Sequence, residues 1–232
     1  MSGAEIGWLV GTVAVYVVLY LIARRVQTRF DGHPLANTVL LAALPIMVLL
    51  IATDTPYERI EVGGQVLLWF LGPATVALAV PLYRRLTQLR ASWRPILAAL
   101  AAGSVTAVLL AVGTASLLGA DAEVIASLAP KSVTTPIAMG ISEEIGGLPA
   151  LSAAFVIATG IIGAMLGGPL CSALGIRDPR ARGLGMGVAA HGIGTARAFH
   201  EGQTAGSFST LGMALNGILT ALLLPALWLW LM

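Results

Sequence analysis

Leu128-Ala129-Pro130-Lys131-Ser132-Val133-Thr134-Thr135-Pro136 and Ala190-His191-Gly192-Ile193-Gly194-Thr195-Ala196-Arg197 are the two stretches on which the fold turns. Between them they carry prolines, glycines, hydroxyls, a Lys, a His and an Arg, inside sequence that is otherwise apolar. Hydrocarbon offers no water to a broken backbone, so irregular chain at membrane depth persists only inside protein or against a wet cavity. Ionisable groups at that depth mark a functional site by default. The two pieces are therefore expected to build one anion site, with the surrounding helices holding and moving it.

Working outward, 57% of the 232 residues are hydrophobic and 10% are charged, against ~25% charged in a soluble domain. Mean hydropathy is +0.90, and runs near the ~20 apolar residues that span a bilayer recur along the chain. The expected fold is all-α and polytopic, a single transmembrane domain over residues 1–232. One cysteine, Cys171, excludes an intrachain disulfide and argues against a thiolate metal site. No metal-ligand spacing, Walker loop or nucleophile triad is present, so no cofactor, no metal, no nucleic-acid partner and no catalytic residue is expected. The first apolar run lacks a basic n-region and is too long for a signal peptide, so it reads as a retained helix.

The pattern predicts helices over residues 6–22, 35–52, 64–83, 95–118, 150–174, 183–199 and 208–231. Gly3, Gly7 and Gly11 allow close approach of another helix, within the chain or in a second copy, a dimer being the favoured homo-oligomer. Pro45 is expected to kink the second helix, and Gly72-Pro73 to make the third discontinuous. Ten of the thirteen Lys and Arg residues fall in three loops, after residues 22, 83 and 174. All three can be cytoplasmic only if residues 129–149 return to the side they entered. The expectation is thus about seven full spans plus one re-entrant segment, with the N-terminus outside and the C-terminus inside. The second to fourth spans and the last three then form triplets with broken middle members, an inverted-repeat plan recurrent in secondary transporters.

Lys131 and Arg197 have no carboxylate in the spans to pair with, and two cations facing a cavity make a receptor for a small organic anion. Arg197 suits bidentate carboxylate recognition and Lys131 supplies a point charge; the competing reading is that each snorkels to an interface. Ser132, Thr134 and Thr135 add hydroxyls, or merely satisfy local backbone. His191, beside Gly192 and Gly194, binds substrate or carries a coupled proton, or simply packs. Glu143 and Glu144 are alternative proton carriers, or a solvated turn. Thr75, Thr195 and Asn216 complete the candidate substrate-binding set, Asn216 also reading as an interhelical hydrogen-bonder. His200 and Glu201 read as solvated.

Pro130-Lys131-Ser132-Val133-Thr134-Thr135-Pro136-Ile137-Ala138, Glu144-Ile145-Gly146-Gly147, residues 175–183 and His191-Gly192-Ile193-Gly194-Thr195-Ala196-Arg197 resemble the LrgB/CidB family of antiholin-like membrane proteins, as do residues 71–83. The likeness runs over essentially the whole chain. It implies a bacterial cytoplasmic-membrane location and a small LrgA/CidA-type membrane partner. It also implies one of two roles: holin-like control of murein hydrolases and lysis, or transport, as in the related plastidic glycolate/glycerate translocator and bacterial pyruvate uptake. Paired cations in broken helices favour carriage of a small anion, having no obvious purpose in a nonspecific pore; the resemblance is what implies the class, small monocarboxylates such as glycolate, glycerate, pyruvate or lactate.

Overall fold

The computed structural model describes residues 3–30, 36, 38–77, 79–84 and 86–231, with the side chains of all of these except 3, 4, 68, 71, 72, 74, 75, 79, 81, 82, 86, 88, 89, 229 and 231. Among the described residues the chain is all-α. The helices are α1 (Gly3–Arg29), α2 (Thr38–Ala52), α3 (Glu58–Ala77), α4 (Ala79–Arg84), α5 (Leu86–Ala91), α6 (Trp93–Leu117), α7 (Ala122–Leu128), α8 (Thr135–Glu144), α9 (Pro149–Ala173), α10 (Pro179–Glu201) and α11 (Gln203–Leu231). Two compact units divide it, residues 1–79 and 80–232.

In the first unit α1 packs with α2 and α3. The Trp8 indole donates to the Arg59 carbonyl and the Tyr16 hydroxyl donates to the Ile60 carbonyl, at 2.5 and 2.9 Å. Both acceptors lie in the first turn of α3 and so tie its start to α1. None of the described residues of α2 is buried, although the helix is almost wholly apolar, as expected of a helix facing lipid. α3 runs unbroken through Pro73. The break expected of this span does not fall at Gly72-Pro73, because one proline removes a single helical hydrogen bond and bends a long helix without necessarily ending it; α3 extends to Ala77, and α4 begins at Ala79.

The second unit is built on α6, α9 and α11. With α1, these are the four described helices long and apolar enough to cross a membrane. Ile96 clusters with Leu184 and Phe208, and Ser104 bonds Asn216, so α6 and α11 run in the same direction. α9 runs the opposite way. Between α6 and α9 the chain doubles back through α7, the loop 129–134 and α8, so that Leu148 N–H returns to donate to Ser127 Oγ at 2.7 Å. At the other end of the unit α10 does something the sequence pattern did not foretell.

The sixth of the expected spans, residues 183–199, is not a crossing. In a straight helix Arg182 and Glu201 would stand about 28 Å apart at 1.5 Å per residue; here Arg182 Nε lies 2.8 Å from Glu201 Oε2. α10 folds on itself at Ala190 (φ −132°, ψ 18°) and His191 (φ 41°, ψ −132°) and returns to the end it started from. Its first arm lies so close along α11 that a β-carbon on Gly183 or Gly187 would collide with the backbone of Ala205 or Ser209. The correction has a physical reason. A segment this rich in small and charged residues buries poorly against lipid but packs well against helices, and a fold-back lets both arms do so.

Two hairpins thus enter the second unit from opposite ends. The first, α7–α8, starts where α6 ends; the second, α10, starts where α9 ends. This span-plus-hairpin pairing lies wholly within residues 93–201. The inverted triplets expected from sequence drew on both units, and the inverted resemblance visible here has different members.

Candidate functional site

The tip of the first hairpin is where the sequence placed its most unusual chemistry. Pro130 interrupts the helix after α7, and Thr134, with extended φ and ψ, caps α8 ahead of Pro136 in its first turn. Ser127 anchors the base. Its hydroxyl donates to the Glu123 carbonyl and accepts from Leu148 N–H, while its own carbonyl accepts from the Ser152 hydroxyl. Such bonds replace what the broken backbone loses, which hydrocarbon cannot supply. The loop between is therefore firmly seated, and it presents Lys131 and Ser132 to a cavity.

That cavity has a volume of about 940 Å³ and runs between α6 and the first arm of α10. From Ser92, beside the exposed Asp178–Arg180 pair that marks its mouth, to Leu110 it follows α6 over eighteen residues, about 27 Å. Its long walls are small or aliphatic, among them Ala99, Gly103, Ala107, Leu184 and Val188, with Thr106 as the one hydroxyl on α6 beyond the mouth. Three charged residues line it: Lys131, Asp178 and Arg180. The last two form an ion pair at the mouth, 2.6 Å apart. The Arg180 guanidinium, by hydrogen bonding, holds the Asp178 carboxyl below the usual carboxylate range, so the pair stays ionised and mutually neutral. Among the described residues Lys131 is left as the uncompensated charge on the lining. Its polar contact within the protein is Ser132 Oγ, at 3.4 Å.

The second tip is differently made. His191 is buried, 4% exposed, and its Nε2–H donates to the Val156 carbonyl of α9 at 2.9 Å, leaving Nδ1 as the acceptor nitrogen. Thr195 donates to the His191 carbonyl at 2.8 Å and meets Ser209 Oγ at 2.9 Å. Gly194 packs against the Met186 carbonyl, whereas Gly192 is exposed. Asn216, 1% exposed at the middle of α11, lies between the two hairpins. Its Nδ2 donates to the Ser132 and Val188 carbonyls, both at 3.1 Å, and its Oδ1 accepts from Ser104.

The candidates drawn from the sequence therefore separate. Lys131 and Ser132 line the cavity; Thr134, Thr135, His191, Gly192, Gly194, Thr195, Arg197 and Asn216 do not. Arg197 sits half-buried on the returning arm of α10, so of the two cations expected to share a site only Lys131 lines this cavity. Glu143 and Glu144 are exposed at the end of α8. The side chain of Thr75 lies outside the described residues. Glu201, read as solvated, is instead gripped by Arg182 through two hydrogen bonds, both side chains being 16% exposed. The same guanidinium donates to the Gly168 and Ile176 carbonyls and to Ser172 Oγ, closing the end of α9. Sequence reasoning also passed over Ser104 and Thr106, although a hydroxyl in an apolar span is itself a signal.

Among the described residues no three His, Cys, Asp or Glu side chains come together to hold a metal ion. The arrangement is suited to receiving a small anion. A half-buried ammonium on the wall of a mostly apolar cavity attracts one negative charge and offers few groups to a second.

A model of the LrgB-like family matches residues 16–230. Over 220 residues the chain is 38% identical to an uncharacterised protein, YwbG, of Bacillus subtilis, covering 94% of this chain and 97% of that one. It is 31% identical over 215 residues to the holin-like protein CidB of Staphylococcus epidermidis, with 93% of each chain covered. To the antiholin-like protein LrgB of Bacillus cereus it is 30% identical over 213 residues, covering 92% and 93%. No solved structure matches it.

Proposed function

The chain belongs to the LrgB-like family, and we propose that it is a multi-pass protein of the bacterial cytoplasmic membrane that carries small monocarboxylates, of the glycolate, glycerate, pyruvate or lactate class, by alternating access. The observation that carries this reading is Lys131, the uncompensated cation on the lining of a deep, mostly apolar cavity. Lys131 attracts the carboxylate and Ser132 donates a hydrogen bond to it. The mouth, flanked by Arg177 and the Asp178–Arg180 pair, faces the cytoplasm by the placement of basic residues. The two hairpins are re-entrant from opposite faces, and their relative movement exposes the site to one side or the other. His191, sealed at the second tip, is the candidate for proton coupling. The working unit is a homodimer, with a small LrgA/CidA-type membrane protein as a further partner.

The names of the relatives support a second reading, a holin-like or antiholin-like role in controlling murein hydrolases and lysis. They speak for it more directly than for transport, whereas the cavity speaks for a selective solute path. Proteoliposomes separate the two. Labelled glycolate, glycerate, pyruvate and lactate are offered with and without a pH gradient, alongside an entrapped dye. The carrier reading expects saturable uptake, competition among the acids and retained dye. Flux linear in concentration together with dye release would reject it in favour of the pore.

A further inference from the structure

We infer that Asn216 is the positioning residue of the anion site, setting where the Lys131–Ser132 tip stands relative to the α10 wall without touching the substrate. The inference rests on the carrier reading above. Asn216 is absent from the cavity lining, yet both carbonyls it binds, those of Ser132 and Val188, belong to lining residues. The orientation of its amide follows from its neighbours: two acceptors face Nδ2, and the Ser104 hydroxyl donates to Oδ1 at 2.5 Å. Val188 lies just ahead of the break at Ala190–His191, where carbonyls lose the helical N–H four residues on. Ser132 stands in the loop before α8, where regular bonding is also interrupted. One amide thus satisfies a carbonyl freed by each hairpin, and it does so from the middle of a continuous span.

The geometry has a consequence for movement. Neither tip can shift relative to the other without breaking one of the two Nδ2 bonds, and a carbonyl left bare at that depth is costly. The residue therefore holds the tips in one relation while the cavity is open at its mouth. Asn216→Asp keeps the oxygen that faces Ser104 but removes both donors, placing an acceptor against two carbonyls. Asn216→Leu keeps the approximate volume and removes all the polar contacts.

The test uses a Cys171→Ser background carrying Ser132→Cys, with modification by a charged, membrane-impermeant thiol reagent added at the cavity mouth. Ala99→Cys, on the α6 wall, serves as the reference site. Asn216→Asp and Asn216→Leu are each expected to change the reaction rate at Ser132→Cys by roughly fivefold or more, as a lost buried hydrogen bond implies, with the Ala99→Cys rate unchanged. Without the reporter cysteines, they raise the half-saturation for pyruvate by about tenfold, since tip and wall no longer present Lys131 correctly. Ser104→Ala, which leaves both Nδ2 bonds in place, stays within about twofold of the parent. Unchanged reactivity at position 132 in both variants would overturn the inference. So would an equal change at position 99, because Asn216 would then be holding the unit as a whole. Absence of saturable uptake by the parent protein would instead sink the carrier reading, and the labelling rates would still report whether Asn216 fixes the tip.

Discussion

The two hairpins solve the same problem in opposite ways. The first turns through six residues, 129–134, and spends its polar groups on both sides: Ser127 at its base secures the backbone, while Lys131 at its tip is left to the cavity. The second reverses at two residues and turns its polar groups inward, His191 to Val156 and Thr195 to Ser209. A loop that leaves a charge unpartnered is unfavourable as a fold and useful as a receptor. A reversal that satisfies its own groups is favourable as a fold and gives the first hairpin something to stand against. On the carrier reading, the division of labour is between presenting and bracing.

The sharpest way to break this contrast is to remove the presented charge. Lys131→Ala is expected to raise the half-saturation for a monocarboxylate roughly 10- to 150-fold, a charge-assisted hydrogen bond being worth ~1.5–3 kcal/mol and a decade ~1.4 kcal/mol. Lys131→Arg keeps much of the affinity if charge alone is needed. Normal affinity in Lys131→Ala, measured by labelled uptake, would strip the first hairpin of its role. Next in size, the bracing hairpin is loosened by Arg182→Ala, which leaves a half-buried carboxylate on Glu201 and bares the Gly168 and Ile176 carbonyls. A loss of about 1–3 kcal/mol is expected, between the values for exposed and buried pairs. Thermal unfolding in detergent would register it, and Glu201→Gln should cost less because the guanidinium keeps its carbonyl acceptors.

His191 offers a subtler discrimination. A non-glycine residue at φ 41° and ψ −132° is strained, by about 1–3 kcal/mol. His191→Gly relieves that strain while losing one hydrogen bond worth about 1 kcal/mol and the packing of a buried ring, so the relief offsets part of the loss. His191→Ala keeps the strain, loses the bond and should be the less stable of the two. If the glycine variant folds and transports normally without losing its response to a pH gradient, the imidazole is only a brace. Smallest of all is the effect expected of Arg197→Ala. Because Arg197 does not line the cavity, the half-saturation should change by no more than about twofold, a few tenths of a kcal/mol. A large change, non-additive with Lys131→Ala, would mean that both cations grip one carboxylate in another conformation.

Much of this was legible in the chain. The helices at α6, α9 and α11 follow from apolar length, and the doubling-back of residues 129–149 from the three basic loops together with Pro130 and Pro136. Lys131 stood out as a candidate because a cation is costly among apolar spans, and the structure places it on the cavity lining. What escaped was long-range. Nothing local distinguishes a helix that crosses from one that folds on itself at His191, since Gly192 and Gly194 serve either as packing surface or as part of a reversal. The pairing of Arg182 with Glu201, nineteen residues along α10, is invisible without the fold-back that creates it. Asn216 was visible as a rare amide but not as the point where both hairpins end. A sequence shows that a polar group is present, and only the fold shows what faces it.

The length of the cavity carries one more consequence. If water and ions fill the cavity as far as Lys131 from one side, they bring that side's electrical potential with them. In an energised cell the voltage then falls mainly across the protein beyond the tips, not across the full bilayer. Moving one elementary charge through the field is worth about 2.3 kcal/mol per 100 mV. For an anion seated at Lys131, most of that work is concentrated in the short step past Asn216, so a negative interior would drive efflux of the bare anion and oppose its entry. On the carrier reading, net uptake against such a field requires a compensating cation.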